Sequence, residues 1–314
     1  RTDNDNQGNS TIIFRNTNPG IPTDVQKAPS FTGGTVEFRS TATTDYTFPS
    51  LAYKNLVLNS NRTFISGGSS TSIISGGKFN LMLGIFSSSA ANQLRINDGI
   101  TVIRSGGSFA IGSNSRMRLT NASNRYNVLY EQHTSPIVIN DLPAYYPGNT
   151  LINSIKTVEV NSTNGVTLNT NTIQIENLIV NKSCTINGTG KIFVTNLFDV
   201  PNAITVSFPD NLLKLLSNTD GTARVSQLNP GTVVNGKVVV KRFLPNSRRS
   251  WRLLTAPVRG ATGNSVWENW QNNGLYSGAD IGVDIWGPDG TLQAEDTGST
   301  IQIKANGNGL TLIN

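Results

Sequence analysis

The chain has 314 residues, of which 14% are charged and 36% hydrophobic, against roughly 25% charged in an average globular protein. Its polarity comes instead from 39 Asn, 34 Thr and 30 Ser, and its formal net charge of +6 reflects a shortage of carboxylates, 19 in all. With one His (His133) and one Cys (Cys184), the chain can form no internal disulfide and no zinc site of four Cys/His ligands. No apolar run approaches the roughly 18 residues that cross a bilayer, so no membrane span is expected. The first residue is Arg1, and an export signal is expected to lie outside this stretch.

In chain order, short alternating apolar clusters are separated by Gly, Asn, Ser or Asp turns. Leu56-Val57-Leu58 leads to Asn59-Ser60-Asn61. Phe79, Leu81, Leu83 and Ile85 alternate strictly and are expected on one face of a strand. Leu94 and Ile96 precede Asn97-Asp98-Gly99, Ile100 and Val102 follow it, and Phe109, Ile111, Met117 and Leu119 continue the series. Ser-Gly-Gly occurs at 66–68, 75–77 and 105–107, the composition of tight corners. Residues 133–150, with Pro136, Pro143 and Pro147, are expected as a crossing loop rather than a coil.

Thereafter Val158/Val160, Val166/Leu168, Ile173/Ile175, Leu178/Val180, Ile186 and Ile192/Val194 give apolar pairs every seven to ten residues. Such spacing suits strands wound around coils of roughly twenty-odd residues, a right-handed parallel β-solenoid over residues 1–204. A β-sandwich is the rival, because the repeat is loose. Composition favours the solenoid: coils stack equivalent side chains at about 4.8 Å, which suits Thr, Ser and Asn and penalises like charges. Cys184 fits such an interior as a small apolar residue.

Residues 205–314 read differently, as a mostly β, sandwich-like module that stops short of its C-terminal end. All four Trp residues (251, 267, 270 and 286) lie there. Ser265-Val266-Trp267-Glu268 matches a capping box for one short helix, ended by Asn272-Asn273-Gly274.

Few groups suggest chemistry. His133, in Glu131-Gln132-His133-Thr134-Ser135-Pro136, has no nucleophile elbow beside it and reads as a loop residue. Glycoside hydrolysis needs two carboxylates on one cleft, yet the 13 Asp and 6 Glu are scattered and residues 46–97 hold none. Asp280, Asp284 and Asp289 could hold a structural calcium ion but lack the EF-hand spacing; Asp289 in Pro-Asp-Gly reads as a turn residue. Lys241, Arg242, Arg248, Arg249 and Arg252 around Trp251 alternate with a strand and a Pro-Asn turn, which favours structural pairing over nucleic-acid binding. The Trp residues could stack on sugars; core packing is the plainer reading for Trp251 and Trp267. No catalytic, cofactor-binding or metal residue is assigned, and the chain is not read as an enzyme. The sequons at Asn61-Arg62-Thr63 and Asn187-Gly188-Thr189 arise by chance at this composition.

One ordered series carries a resemblance: Gly221-Thr222-Ala223-Arg224-Val225, Val238 to Phe243, Trp251 to Val258, and Trp267-Glu268-Asn269-Trp270-Gln271. It resembles a module of very large secreted and cell-surface proteins of Bacteroidetes bacteria. Tyr53 to Asn59 and Val158 to Leu168 are similar to that family's strand-turn-strand phrases. The likeness spans roughly residues 35–300 and is strongest over 150–271. It implies export by the type IX secretion route, display on the cell surface or release, and a structural, adhesin-like role. The implied partners are the secretion and anchoring machinery, with glycans, other surface proteins or self-association as the contacts made outside the cell. The family's separate C-terminal secretion domain has no counterpart here, and Leu310 to Asn314 read as ending mid-strand, as in one segment of a longer polypeptide. A carbohydrate-active solenoid or a glycan-binding module is the alternative.

Overall fold

The computed structural model describes residues 10–16, 30–40, 45–66, 71–87, 94–110, 117–131, 137–139, 155–168, 172–241, 243, 302–306 and 309–313. Every regular element among them is a strand. In the main sheet, Thr11–Asn16, Ser30–Ser40, Ala52–Ser66, Ser72–Ser87, Thr101–Arg104, Tyr126–Glu131, Ile155–Asn161, Thr172–Val180, Lys191–Asp199 and Leu213–Leu215 lie side by side in chain order. All these neighbours are parallel. A parallel neighbour can be reached only by carrying the chain around and back, which is how a solenoid winds. A second parallel row runs through Ile137–Ile139, Val166–Leu168, Cys184–Gly188, Thr205–Ser207 and Val233–Asn235. From Tyr126 to Leu215 the two rows alternate along the sequence, and the parallel strands together form a β-solenoid of about seven turns. The antiparallel hairpins of a sandwich are not the basis of this unit.

Register turns the loose sequence repeat into strict columns. One inward column reads Val36, Leu56, Phe79, Val102, Val128, Val158, Leu178 and Phe198, all buried. Two residues along each strand, a second reads Phe38, Leu58, Leu81, Arg104, Tyr130, Val160 and Val180. Full burial of each such apolar side chain stabilises the fold by about 1.5–3 kcal/mol. Coil length and filling match. Val158, Leu178 and Phe198 are register partners 20 residues apart, and Val160, Ile173, Ile175 and Val180 fill that narrow section. Leu56, Phe79 and Val102 are 23 apart, and their wider coils enclose Phe48, Tyr53, Phe64, Phe86 and Phe109. Phe79, Phe86 and Phe109 meet edge to face at 5.5–6.2 Å, the arrangement their ring quadrupoles favour.

Arg104 is the exception in these columns. It is only 1% exposed, between Leu81 and Tyr130. Its Nε donates to the carbonyl of Gly107 at 2.8 Å, and its guanidinium lies 5.3 Å from the centre of the Phe109 ring. The side chain clasps the Ser105-Gly106-Gly107 corner from inside.

Three sequence expectations are corrected here. Phe79 and Leu81 point inward, but Leu83 and Ile85 are each 42% exposed and Phe86 is buried instead. The cause is a corner: register slips between Leu58 and Asn59 and again before Thr63, and Gly84 adopts φ +82°. A Cβ on Gly84 would lie 2.1 Å from the Ser60 carbonyl oxygen, so only glycine fits where this strand bends against the coil below. Next, the stretch 133–150 is not wholly a crossing loop, since Ile137–Ile139 pairs in parallel with Val166–Leu168; the remainder lies outside the described residues. Finally, the parallel ladder runs past residue 204, through Thr205–Ser207 and Leu213–Leu215 to Val233–Asn235, and the chain divides into compact units at Val239/Val240. The core nevertheless thins there, because from Ser217 to Lys241 only Ala223 is buried. In the second unit the described residues form an antiparallel hairpin, Gln302–Asn306 with Gly309–Ile313. The expected helix at Ser265 lies outside the described residues.

Candidate functional surface

Outward columns stand between the inward ones. The first reads Thr35, Asn55, Lys78, Thr101, Asn127, Thr157 and Asn177. The second reads Glu37, Val57, Asn80, Ile103, Leu129, Glu159, Ile179 and Asp199. Hydroxyls and amides therefore form a rail beside a stripe of half-exposed aliphatic groups.

Many asparagine amides tie one coil to the next. Asn55 donates to the Gly34 carbonyl at 2.8 Å, Asn97 to the Ile73 carbonyl at 2.7 Å, and Asn202 to the Asn181 carbonyl at 3.1 Å. Asn177 donates to Thr157 Oγ1 at 3.3 Å, and its own Oδ1 accepts from Asn196 at 2.7 Å. Each partner sits about one circuit away in sequence.

The carboxylates are used in the same way. Glu37, almost buried, accepts from Arg39 Nη2 and Asn59 Nδ2, both at 2.7 Å. Glu159 accepts from Asn181 at 2.6 Å, Glu131 from Ser105 at 3.1 Å, and Asp98 from the Arg125 amide at 2.8 Å. Asp199 accepts from Ser226, and Asp210 from the Lys237 amide at 3.0 Å. These are staples between coils.

A depression of about 250 Å³ opens on this face, lined by Thr101, Asn127, Val128, Leu129, Thr157 and Glu159. The local cause is an irregularity: register shifts between Tyr126 and Asn127 where that strand meets Ile155–Asn161. Among the described residues, the side chains of Thr101 and Asn127 make no hydrogen bond, unlike Asn55 and Asn177 in the same column. None of these lining positions stood out in the sequence. Partners 26 and 30 residues apart (Val102, Val128 and Val158) share no visible period, and only the register brings them together.

Cys184 is buried, and burial pushes its thiol up to about 11, as expected of an interior residue. Asn61 and Asn187 are exposed. His133, Asp280, Asp284, Asp289, Arg242, Arg248, Arg249, Arg252 and the four Trp residues lie outside the described residues. Among the described residues, no group of three or more His, Cys, Asp or Glu could hold a metal ion, and no helix is long and apolar enough to cross a membrane. No protein-family model matches the chain, and neither a curated protein nor a solved structure shows significant similarity to it.

Proposed function

We propose that this chain is a non-catalytic structural or adhesive segment of a large bacterial cell-surface or secreted protein, a stiff stalk or fibre unit outside the cell. The observation that supports this reading is the column geometry, in which each coil of the main sheet pairs with the coils before and after it. Such an array is quasi-one-dimensional and can be lengthened coil by coil without redesigning the core. Neutral amide and hydroxyl rails keep its faces hydrated and allow weak contacts that many copies turn into avidity. The resemblance to Bacteroidetes surface proteins supports the location, with export by the type IX route and the secretion and anchoring machinery as partners. Two finer points belong to this proposal. The coils wind right-handed, as parallel crossovers do in about 98% of cases, and the chain beyond them forms a sandwich-like module with one short helix.

A second reading, a polysaccharide lyase or hydrolase on the same solenoid, draws on one observation. Glu131 and Glu159 stand outward on neighbouring strands, two residues out of register, which separates their backbones by about 8 Å. Side chains on backbones so spaced can bring their carboxyl groups within the about 5–9.5 Å that hydrolytic pairs use. Imaging of the parent protein, with attachment assays on cells that lack it, tests the first reading. Elongated particles and impaired attachment are expected; compact particles together with normal attachment would overturn it. A polysaccharide screen for new reducing ends or unsaturated products tests the second, which requires turnover that Glu159→Gln abolishes.

A further inference from the structure

We propose that the depression around Asn127 and Leu129 is a binding subsite for an uncharged glycan chain lying along the solenoid. This rests on the adhesive part of the proposed function and names its ligand class. Size is the first observation. At about 250 Å³ the space falls short of the roughly 300 Å³ at which enclosing small-molecule pockets begin. It suits one or two units of a chain that continues along the face.

The second observation is the unused hydrogen-bonding capacity. Thr101, Asn127 and Thr157 occupy successive rungs of one column, about 4.8 Å apart, a rise comparable with that of one sugar unit in an extended chain. Thr101 and Asn127 can each donate and accept; Thr157 Oγ1 already accepts from Asn177 at 3.3 Å and retains its hydroxyl hydrogen for a ligand. Other asparagines of this face, Asn55, Asn59, Asn177 and Asn181, spend their amides on neighbouring coils. Asn127 and Thr101 do not.

The third is the apolar strip beside the rail. Ile103 and Leu129 are register partners, one rung apart in the outward column, and offer C–H surface to a sugar face. Charge then selects the ligand. The lining holds one ionisable side chain, Glu159, whose Oε1 is fixed by Asn181 at 2.6 Å. A fixed carboxylate accepts from sugar hydroxyls and repels uronates and sulfated sugars.

The test titrates the purified chain with cello-, xylo-, manno- and N-acetylchito-hexaose, and with hexagalacturonate, by calorimetry. At least one neutral hexasaccharide is expected to bind in the millimolar range or tighter, and the uronate not to bind. Losing two hydrogen bonds, the double variant Thr101→Ala/Asn127→Ala should weaken binding about tenfold. Thr35→Ala, three rungs away in the same column, should leave it unchanged. Circular dichroism verifies that both variants fold, and Thr101→Ser/Asn127→Gln provides a milder pair should the alanines not. The proposal is overturned if no neutral hexasaccharide binds, if hexagalacturonate binds equally well, if the double variant binds like wild type, or if the sugar is cleaved. Because binding is read on the isolated chain, its failure would leave the stalk to be tested separately, by imaging the parent protein.

Discussion

Replacing Gly188 by alanine should damage one part of the solenoid and spare the rest. Gly188 ends the strand Cys184–Gly188 at φ +129°, a backbone conformation that costs any other residue about 1–3 kcal/mol. A Cβ there would sit 1.5 Å from the Leu168 carbonyl oxygen in the preceding coil, whereas real Cβ contacts do not fall below 3.0 Å. The coils would have to part by more than an ångström, against a strand spacing of about 4.8 Å. That strains the pairing of Val166–Leu168 with Ile186–Gly188, whose hydrogen bonds contribute about 0.5–1.5 kcal/mol each. With two such bonds lost, the combined loss is about 2–6 kcal/mol. Because coils communicate through neighbours, hydrogen exchange should accelerate across residues 155–207 and stay unchanged across 52–104. Gly221→Ala, where nothing lies within 4 Å of the new Cβ, serves as the silent control. Wild-type protection around Leu168 in Gly188→Ala would refute the stacking inferred here, as would an equal loss of protection along the whole unit.

Chemical denaturation tests three further points. Phe79→Ala should cost about 3–5 kcal/mol, whereas Leu83→Ala, four residues on and exposed, should cost under about 1 kcal/mol; equal costs would contradict the corner at Gly84. Arg104→Ala should lose about 3–5 kcal/mol through the cavity and the charge-assisted bond to Gly107, and Arg104→Met should recover most of it by refilling the volume. A methionine variant as weak as the alanine one would show that the guanidinium itself is indispensable. Alkali should unfold the solenoid, because burial raises the Cys184 thiol from 9.0 to about 11 and the Tyr46 phenol from 10.0 to about 12. Both groups are neutral acids in the fold that ionise sooner when unfolded, so stability is complete below pH 9.0 and declines as pH rises towards about 12. An unfolding midpoint that holds steady from pH 9 to 12 would contradict this.

The inward columns were legible because burial on one face enforces period two: Leu56 and Leu58, Val158 and Val160, and Leu178 and Val180 read correctly without any register. What failed was whatever depends on where a coil turns. Leu83 continues a perfect alternation in the sequence, and only Gly84, one residue on, hinted that the face reverses. The prolines around residue 140 masked the short strand Ile137–Ile139. Arg104 was misleading for the opposite reason, since it occupies an inward place that alternation assigns and residue type denies. The composition shift near residue 200 marks neither the end of parallel pairing nor that of the core, which thins only from Ser217. The depression was invisible in the sequence, because Thr101, Asn127 and Thr157 become neighbours only through coils of unequal length.

Every functional step above depends on coils stacked in register, and pulsed electron paramagnetic resonance measures that stacking directly. In a Cys184→Ala background, spin labels at Thr35 and Asn127 stand four rungs apart in one outward column, and labels at Thr35 and Asn177 six rungs apart. At about 4.8 Å per rung the backbone separations are about 19 Å and about 29 Å, an increment of about 10 Å for two coils. A parallel solenoid predicts that increment. A Thr35–Asn177 distance equal to or shorter than Thr35–Asn127 would contradict it, and with it the surface on which the proposed function is built.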